Sequence, residues 1–136
     1  MSNTGEWEIK PELVPDGSGG AIIAWEDSRS IGTTAPDIYA QRILSNGTTY
    51  WGGGIPICKA DREQNNPVII NSLIGGITDG AIIAWEDRRD DLNGDIYAVK
   101  VGLYESDSDL TLGAKAIATG SQCQRCPRLV SDNQGG

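Results

Sequence analysis

The stretch Gly-Ala-Ile-Ile-Ala-Trp-Glu-Asp occurs at residues 20–27 and again, without a single change, at residues 80–87. In both places an arginine follows two residues later, and Asp-Ile-Tyr-Ala comes after a short interval, at residues 37–40 and 95–98. A long repeat inside one chain indicates that the fold is assembled from copies of one supersecondary unit. We therefore expect a repeat architecture in which the copied segments form the same element in each unit.

Each unit opens with a proline-containing segment, at Pro11, Pro67 and Pro127, and these openings lie roughly 60 residues apart. We treat the chain as a single repeat domain. The domain spans residues 1–136. It contains a first unit at about 11–66, a second unit at about 67–126 and a partial third repeat at 127–136. The second unit has extra residues at 73–77, which we expect in a loop.

Composition narrows the range of partners. The chain has 136 residues, a net charge of −8, no histidine and 18 glycines. Its length allows one domain with a substantial core. Binding to nucleic acid or to an anionic membrane requires clustered Lys and Arg. The negative net charge argues against both, and we expect neither partner. Frequent glycine without any phenylalanine is typical of short strands joined by tight turns.

The first copy of the octapeptide contains a strand with two apolar faces, at residues 21–25. The odd-numbered residues fall on one face, and Ile22 and Ala24 fall on the other. Such a strand must be covered on both sides. The strands that we expect, in chain order, are residues 12–14, 21–25, 37–44, 49–51 with 55–58, 68–70, 81–85, 95–101, 111–118 and 128–130.

Four short strands in about 60 residues, with the central ones buried on both faces, predict an all-β fold of β-propeller-type blades. Each blade would have about four antiparallel strands, and the chain would hold two blades plus the first strand of a third. Neighbouring blades cover each other's faces, which accounts for the apolar residues on both sides of one strand. A generic antiparallel sandwich or an open β-solenoid is the alternative.

The motif Ile-Ala-Trp-Glu-Asp-Ser-Arg ending at Arg29, with the Asp-Ile-Tyr ending at Tyr39, resembles the blades of TolB-type propellers, and so does its copy ending at Arg89 and Tyr97. The chain looks more similar still to repeat-rich bacterial secreted propeller proteins, whose blades continue to a turn and Trp-Gly. The resemblance covers nearly the whole chain from Pro11 onward. It implies a propeller in a bacterial, extracytoplasmic or secreted setting, and it implies little about function because such repeats serve as scaffolds in proteins with different activities.

The chain departs from those propellers in its number of blades. They close rings of roughly six to eight blades, whereas this sequence has two and the beginning of another. A terminal blade leaves an apolar face and strand edges open, which favours association. We therefore expect the partner to be either further copies of the chain, for example three copies making a ring of about six blades, or the remainder of a longer propeller.

The repeated motif supplies aromatic rings and an acid-base-acid set around one turn. We expect the rings to be buried against a neighbouring blade and the arginine to pin the turn through hydrogen bonds to a carboxylate. Paired carboxylates also suit general acid-base catalysis, but their presence in both units favours the structural role. The motif residues are Trp25, Asp27, Arg29, Asp37 and Tyr39 in the first unit and Trp85, Asp87, Arg89, Asp95 and Tyr97 in the second.

Trp51 and its neighbour Tyr50 are the candidate ligand-binding residues. Three glycines follow Trp51, so we expect open surroundings and an exposed ring. The second unit has Leu112 and Gly113 at the corresponding place, which makes the feature private to the first unit. An exposed aromatic ring there would contact a glycan or a protein ligand.

An acidic segment of the second unit has the spacing of a calcium loop. Asp91, Asn93 and Asp95 alternate around Gly94, and Asp87 lies upstream. Hard cations such as Ca²⁺ take carboxylate and amide oxygens from loops of this kind. The segment lacks the distal glutamate of an EF-hand, and a solvated turn is the alternative reading. Calcium is the one cofactor that we consider.

The sequence offers little support for a catalytic site. Cys123 and Cys126 have the spacing of a redox or half-zinc motif, but with Cys58 as the only other cysteine we expect a local disulfide or idle thiols. A Ser-His-Asp triad is excluded because the chain has no histidine. We predict no catalytic residues and a non-enzymatic structural or binding scaffold. The alternatives are a piece of a larger propeller enzyme or lectin acting on glycans, and a calcium-stabilised adhesion module.

Overall fold

The computed structural model of the chain describes residues 7–29, 35–90, 92–105, 113–132 and 134. These residues form eight β-strands in two four-stranded antiparallel sheets, so the predicted all-β class is confirmed. The strands are β1 (Glu8–Pro15), β2 (Ala21–Asp27), β3 (Asp37–Ile43), β4 (Ile55–Cys58), β5 (Gln64–Ile74), β6 (Ile77–Asp87), β7 (Asp95–Gly102) and β8 (Lys115–Ala118).

Each sheet is a meander of four consecutive strands. The first runs in the order β1-β2-β3-β4 and the second in the order β5-β6-β7-β8. Strands that follow each other along the chain pair with each other because short turns can join antiparallel neighbours directly. The octapeptide copies fall in β2 and β6, so each copy occupies the second strand of its sheet.

The repeated residues take the same register in both sheets. Trp25 lies opposite Tyr39 across β2 and β3, and Trp85 lies opposite Tyr97 across β6 and β7. A slip of one residue would carry every side chain of a strand to the other face of its sheet. The shared register therefore keeps each tryptophan and its tyrosine on one face.

The core lies between the two sheets. Ile22 of β2 is fully buried in one apolar cluster with Ile83 and Trp85 of β6. β1 and β2 of the first sheet contact β5, and β2 also contacts β6, so the sheets stack face to face. Because side chains alternate along a strand, the other face of β2 lies outside this core, and its residues Ile23 and Trp25 are only half-buried.

The predicted loop at residues 73–77 is wrong. β5 continues through Ile74, and β6 begins at Ile77. Gly75 and Gly76 join the two strands with φ values of 59° and 82°. Two consecutive positive φ angles are what a two-residue type I′ hairpin turn requires, and glycine adopts them without strain. The extra residues of the second unit therefore lengthen a hairpin.

Two further segments that were predicted as strands are not strands. Residues 49–51 contribute a single isolated bridge, between Thr49 and Ile43, because the chain turns immediately afterwards. Residues 128–130 belong to no strand. A first strand pairs with the second strand of its own unit, and the described part of the chain contains no second strand of a third unit.

Strand lengths also differ from the predictions. The first strands of the two units span Glu8–Pro15 and Gln64–Ile74, longer than the predicted 12–14 and 68–70, because pairing continues across one register shift in the first and two in the second. The last strand of the second unit is Lys115–Ala118, at the end of the predicted 111–118. Residues 111 and 112 lie outside the described residues.

Gly80 lets β6 approach β7 closely. A Cβ atom at position 80 would lie 2.0 Å from the carbonyl oxygen of Val101, whereas a Cβ at Gly53 would meet nothing within 4 Å. We expect Gly80→Ala to lower the free energy of unfolding by about 1–3 kcal/mol because β7 must shift. Gly53→Ala is the control, with a change within about 0.5 kcal/mol. Urea unfolding followed by tryptophan fluorescence measures both, and equal losses in the two variants would contradict the close approach.

Candidate functional site

A buried carboxylate organises the end of β6. Asp87 accepts a hydrogen bond from Nε1 of Trp85 at 2.8 Å. The backbone N–H of Arg89 donates to Oδ1 of Asp87 at 2.9 Å, and Nη2 of Arg89 donates to Oδ2 at 2.6 Å. The Arg89 guanidinium lies 4.1 Å from the ring centre of Tyr97, which stacks beside Trp85. One carboxylate thus holds the motif residues of β6 and of the following turn against the aromatic ring of β7.

The first unit repeats this cluster at the end of β2. Nε1 of Trp25 donates to Asp27 at 2.7 Å, and Nη2 of Arg29 donates to the same carboxylate at 2.5 Å. The Arg29 guanidinium lies 4.2 Å from the ring centre of Tyr39. The arginine-to-carboxylate pair expected from the sequence is therefore present in both units.

The third acid of each set lies on a different strand from that pair. Asp37 lies opposite Asp27, and Asp95 lies opposite Asp87, on the neighbouring strand of each sheet. Oδ1 of Asp95 accepts a hydrogen bond from the backbone N–H of Gly120 at 3.3 Å. In the second unit the acid-base-acid set is thus split, with Asp87 on the arginine and Asp95 on a backbone donor.

The paired carboxylates are held in their charged form. Burial alone would raise the pKa of Asp27 and of Asp87, but hydrogen bonds from their arginine and tryptophan partners outweigh it and hold both pKa values below 3.8. General acid-base catalysis near neutral pH needs a group that exchanges its proton there. The geometry therefore suits pinning a turn and does not suit proton transfer.

Cys58 lies at the junction of the two sheets. Nη2 of Arg89 donates to its Sγ at 3.0 Å, and burial raises the pKa of the Cys58 thiol to about 12. A buried neutral thiol is a poor nucleophile and a poor metal ligand. Cys123 and Cys126 are exposed free thiols. Within the described ranges, no group of three or more His, Cys, Asp or Glu residues is arranged to hold a metal ion.

Trp51 is buried, contrary to the exposure expected from its sequence neighbourhood. Its side chain is 2% exposed and belongs to the core between the sheets. Gln41 of β3 causes this placement, because its Oε1 accepts the backbone N–H of Trp51 and its Nε2 donates to the carbonyl of Gly52, both at 2.9 Å. The glycine-rich turn is folded back onto the sheet, so the Trp51 ring offers no surface to a ligand.

Tyr50 does lie at the surface, where it meets a residue that the sequence did not single out. Tyr50 is 42% exposed and Tyr104 is 78% exposed, and their rings meet edge to face with centres 6.1 Å apart. The buried guanidinium of Arg42 lies 5.3 Å from one ring centre and 5.5 Å from the other. Tyr104 left no signal in the repeat, since the first unit has Asn46 at the corresponding place.

The Arg42 guanidinium is held in place by acceptors inside the protein. Its Nε and Nη2 donate to Oδ2 of Asp16 at 2.9 Å and 2.8 Å, and its Nη1 donates to the carbonyl of Leu103 at 3.0 Å. Asp16 is itself buried and accepts the backbone N–H groups of Ser18 and Gly20. Its three guanidinium nitrogens thus each donate to an acceptor inside the protein, and the tyrosine rings form the outer surface of the site. We call Tyr50 and Tyr104 the tyrosine pair.

The residues of the expected calcium loop are engaged separately. Asp87 is bound to Arg89 and Trp85, Nδ2 of Asn93 donates to the carbonyl of Ser121 at 3.1 Å, and Asp91 lies outside the described residues. A carboxylate that already receives a guanidinium and an indole N–H has little capacity left for a cation. Calcium binding by this segment stays a prediction.

Comparison with known proteins found no matching family model, no similar curated protein and no similar solved structure. The described residues also include no helix with the length and apolar character that crossing a bilayer requires. The geometry of the sheets and of the tyrosine pair is therefore the basis for any functional assignment.

Removing the buried carboxylate of the second unit is expected to destabilise the protein. Asp87→Ala leaves the Arg89 charge without its partner, and breaking such a pair costs about 3–5 kcal/mol. Exposed Asp61 provides the control, and Asp61→Ala should change the free energy of unfolding by less than about 0.5 kcal/mol. Chemical unfolding at pH 7 measures both variants.

The same variant has an expected pH dependence. Because the folded-state pKa of Asp87 is lowered below 3.8, its stabilisation is fully present above that value and is lost as pH falls through the folded-state pKa. The stability difference between the unmodified chain and Asp87→Ala should therefore be largest near neutral pH and shrink in acid. A difference that is constant from pH 7 to pH 3 would contradict the assignment of a charged Asp87.

Proposed function

We propose that this protein is a non-enzymatic, β-propeller-like repeat scaffold whose open sheet faces pack against further blades, including blades of other copies of the chain. One observation carries the proposal: identical octapeptides are buried on opposite faces. Ile22 and Ile83 are fully buried between the sheets, whereas Ile82 and Ile23, which occupy the equivalent positions in the other copies, are half-buried. The two outward faces thus repeat the chemistry of the two faces that already pack together.

The outward face of the first sheet has room for a partner. Ile23 and Trp25 line an apolar groove of about 300 Å³ together with Pro11 and Gln41. The equivalent tryptophan of the second sheet, Trp85, is 0% exposed because the first sheet covers it. Covering such a face stabilises the assembly by roughly 25 cal/mol per Å² of apolar surface that is removed from water. The surface that matches this groove is the outward face of β6 on the second sheet of another copy.

Packing of this kind is directional. The first sheet of one copy would cover the second sheet of the next, so the contact is head to tail and generates a ring if the rotation closes. About three copies, with two sheets each, would give a ring of about six blades, within the usual range for closed propellers. Such a ring would bring the turns at one end of every sheet together, where a scaffold presents its ligand-binding loops.

A charge placed on either outward face is expected to abolish association. Ile23→Glu alters the open face of the first sheet, Ile82→Glu alters that of the second, and Ile77→Glu alters an exposed hairpin tip with the same change in net charge. Sedimentation velocity should find oligomers for the unmodified chain and for Ile77→Glu. It should find monomers for each of the other two variants, because burying an unpaired carboxylate is unfavourable.

Mixing the two monomeric variants provides the sharper test. Ile23→Glu keeps an intact second sheet and Ile82→Glu keeps an intact first sheet, so one good interface remains between them. The equimolar mixture should form a heterodimer and nothing larger. A monomeric unmodified chain at high concentration, or a mixture that stays monomeric, would contradict self-association through these faces.

A second candidate function is glycan binding, favoured by the tyrosine pair. Tyr50 and Tyr104 are both exposed and meet edge to face, and Arg42 beneath them fixes where the rings lie. Flat apolar ring faces with hydroxyl groups at their edges suit a sugar, which has an apolar face and polar rim. The hydrogen bonds of Arg42 run to Asp16 and Leu103 inside the protein, so stacking on the rings would supply most of the affinity.

Loss of one ring is expected to weaken sugar binding by roughly tenfold or more, corresponding to about 1.4 kcal/mol of lost stacking. A glycan array identifies the retained sugars, and an NMR titration compares Tyr104→Ala with the unmodified chain. Leu92→Ala, which removes an exposed apolar side chain from a different turn, is the control and should bind normally. An array that retains no sugar, or equal affinities for all three chains, would contradict this candidate.

A further inference from the structure

Residues 127–132 resemble residues 11–16, which are the later part of β1 and the residue after it. Pro-Glu-Leu-Val-Pro-Asp begins at Pro11, and Pro-Arg-Leu-Val-Ser-Asp begins at Pro127. Proline, leucine, valine and aspartate recur at the same places. Leu13 and Val14, which β1 directs to opposite faces of its sheet, therefore both recur in the later segment, which we call the C-terminal segment (residues 127–132).

The residue before this segment is docked on the second sheet in the way that the start of β5 is docked on the first. The backbone N–H of Cys126 donates to Oε1 of Glu86 at 2.7 Å, and the backbone N–H of Asn66 donates to Oε1 of Glu26 at 2.6 Å. Cys126 and Asn66 both have positive φ angles, 55° and 53°. Two equivalent hydrogen bonds and two equivalent backbone angles mark Cys126 as the entry of a further first strand.

The other end of the C-terminal segment also reproduces β1. Oδ1 of Asp132 accepts the backbone N–H of Gln134 at 2.8 Å, as Oδ1 of Asp16 accepts the backbone N–H of Ser18 at 2.8 Å. The chain between these two ends belongs to no β-strand, in contrast to β1 and β5. The segment thus has the ends and the sequence of a first strand, without the ladder.

We propose that residues 127–130 serve as the first strand of a second copy of this chain, pairing with β2 of that copy in the register of its β1. This inference rests on the head-to-tail packing proposed above. In that register Leu129 takes the place of Leu13 opposite Ile23, and Val130 takes the place of Val14 opposite Ile22. The strand that pairs with the C-terminal segment is therefore β2 of the second copy, which has the sequence Ala-Ile-Ile-Ala-Trp.

Competition for one place is what makes strand exchange necessary. A second copy that packs its first sheet on the outward face of this second sheet brings its own β1 to the position where the C-terminal segment already lies. Two first strands cannot occupy that position together. β1 is the more readily displaced of the sheet's strands, because Glu8–Pro15 is exposed along nearly its whole length and makes only one strand pairing.

The C-terminal segment, like β1, supplies a cation beside the buried carboxylate of Glu26. Glu12 pairs with Ala24, which places it diagonally across from Glu26 on the same face of the sheet. Arg128 takes the place of Glu12 in the repeated sequence. In β1 the cation that pairs with Glu26 is Lys10, at 2.9 Å, and the exchanged strand offers Arg128 instead, so the buried glutamate keeps a cationic neighbour.

Disulfide trapping tests the register. In a chain carrying Cys123→Ser and Cys126→Asn, the pair Leu129→Cys and Ile23→Cys is introduced. Directly opposite residues of antiparallel strands have Cα atoms about 4.5–5.5 Å apart, within the reach of a disulfide. Mild oxidation should convert most chains to covalent dimers and larger species on a non-reducing gel. Leu129→Cys with Ala21→Cys is the matched control, offset by about 7–8 Å, and should stay uncrosslinked.

The complementary variant pins β1 in place. Leu13→Cys with Ile23→Cys should form a disulfide within one chain and reduce association, because β1 can no longer leave β2. Associated particles in which Leu129→Cys with Ile23→Cys stays uncrosslinked would overturn strand exchange and leave the face-to-face packing standing. Chains that are monomeric and uncrosslinked throughout would overturn both. Crosslinking in the offset control as readily as in the matched pair would also overturn the proposed register.

Discussion

The buried carboxylates of Asp27 and Asp87 are the constraint on which the sheets depend. An unpaired charge in this position would be strongly unfavourable, so each carboxylate must keep its arginine and its indole N–H. That requirement fixes the tryptophan rotamer and holds the arginine over the tyrosine ring of the next strand. The result is a rigid plate of Trp85, Arg89 and Tyr97 on one face of the sheet. The plate is flat and largely apolar, and the first sheet packs against it.

The two copies of this plate have different surroundings although their sequences are the same. Around Trp85 the plate is covered by the first sheet, and Cys58 from that sheet reaches Arg89. Around Trp25 no described part of the chain takes that place, and Arg29 turns to the carbonyl of Gly53. Local sequence therefore determines the plate, and the neighbouring sheet determines how much of it meets solvent. This difference is the reason to propose an interaction surface on the first sheet.

The all-β class, β2 and β3 and their counterparts followed from the sequence because period-two alternation and an internal repeat are local signals. The burial of Trp51 did not follow, since it depends on Gln41, a residue on another strand whose side chain binds two backbone groups of the turn. The tyrosine pair joins residues of the two units and is brought together only by stacking of the sheets. The hairpin at Gly75 and Gly76 was misread because a glycine pair suits a loop and a tight turn equally well.

A sheet of this kind has two separate needs. Its apolar faces must be covered, and its strand edges must be paired. Face packing alone accounts for the half-buried Ile23 and Ile82, but it places no requirement on residues 127–130. Edge pairing alone accounts for those residues, but it does not distinguish a partner that covers Trp25 from one that does not. The second sheet shows how the two needs are joined, because β5, which pairs with β6, is also the strand that enters from the first sheet, which covers β6. An assembly that meets one need therefore brings the groups that meet the other into place.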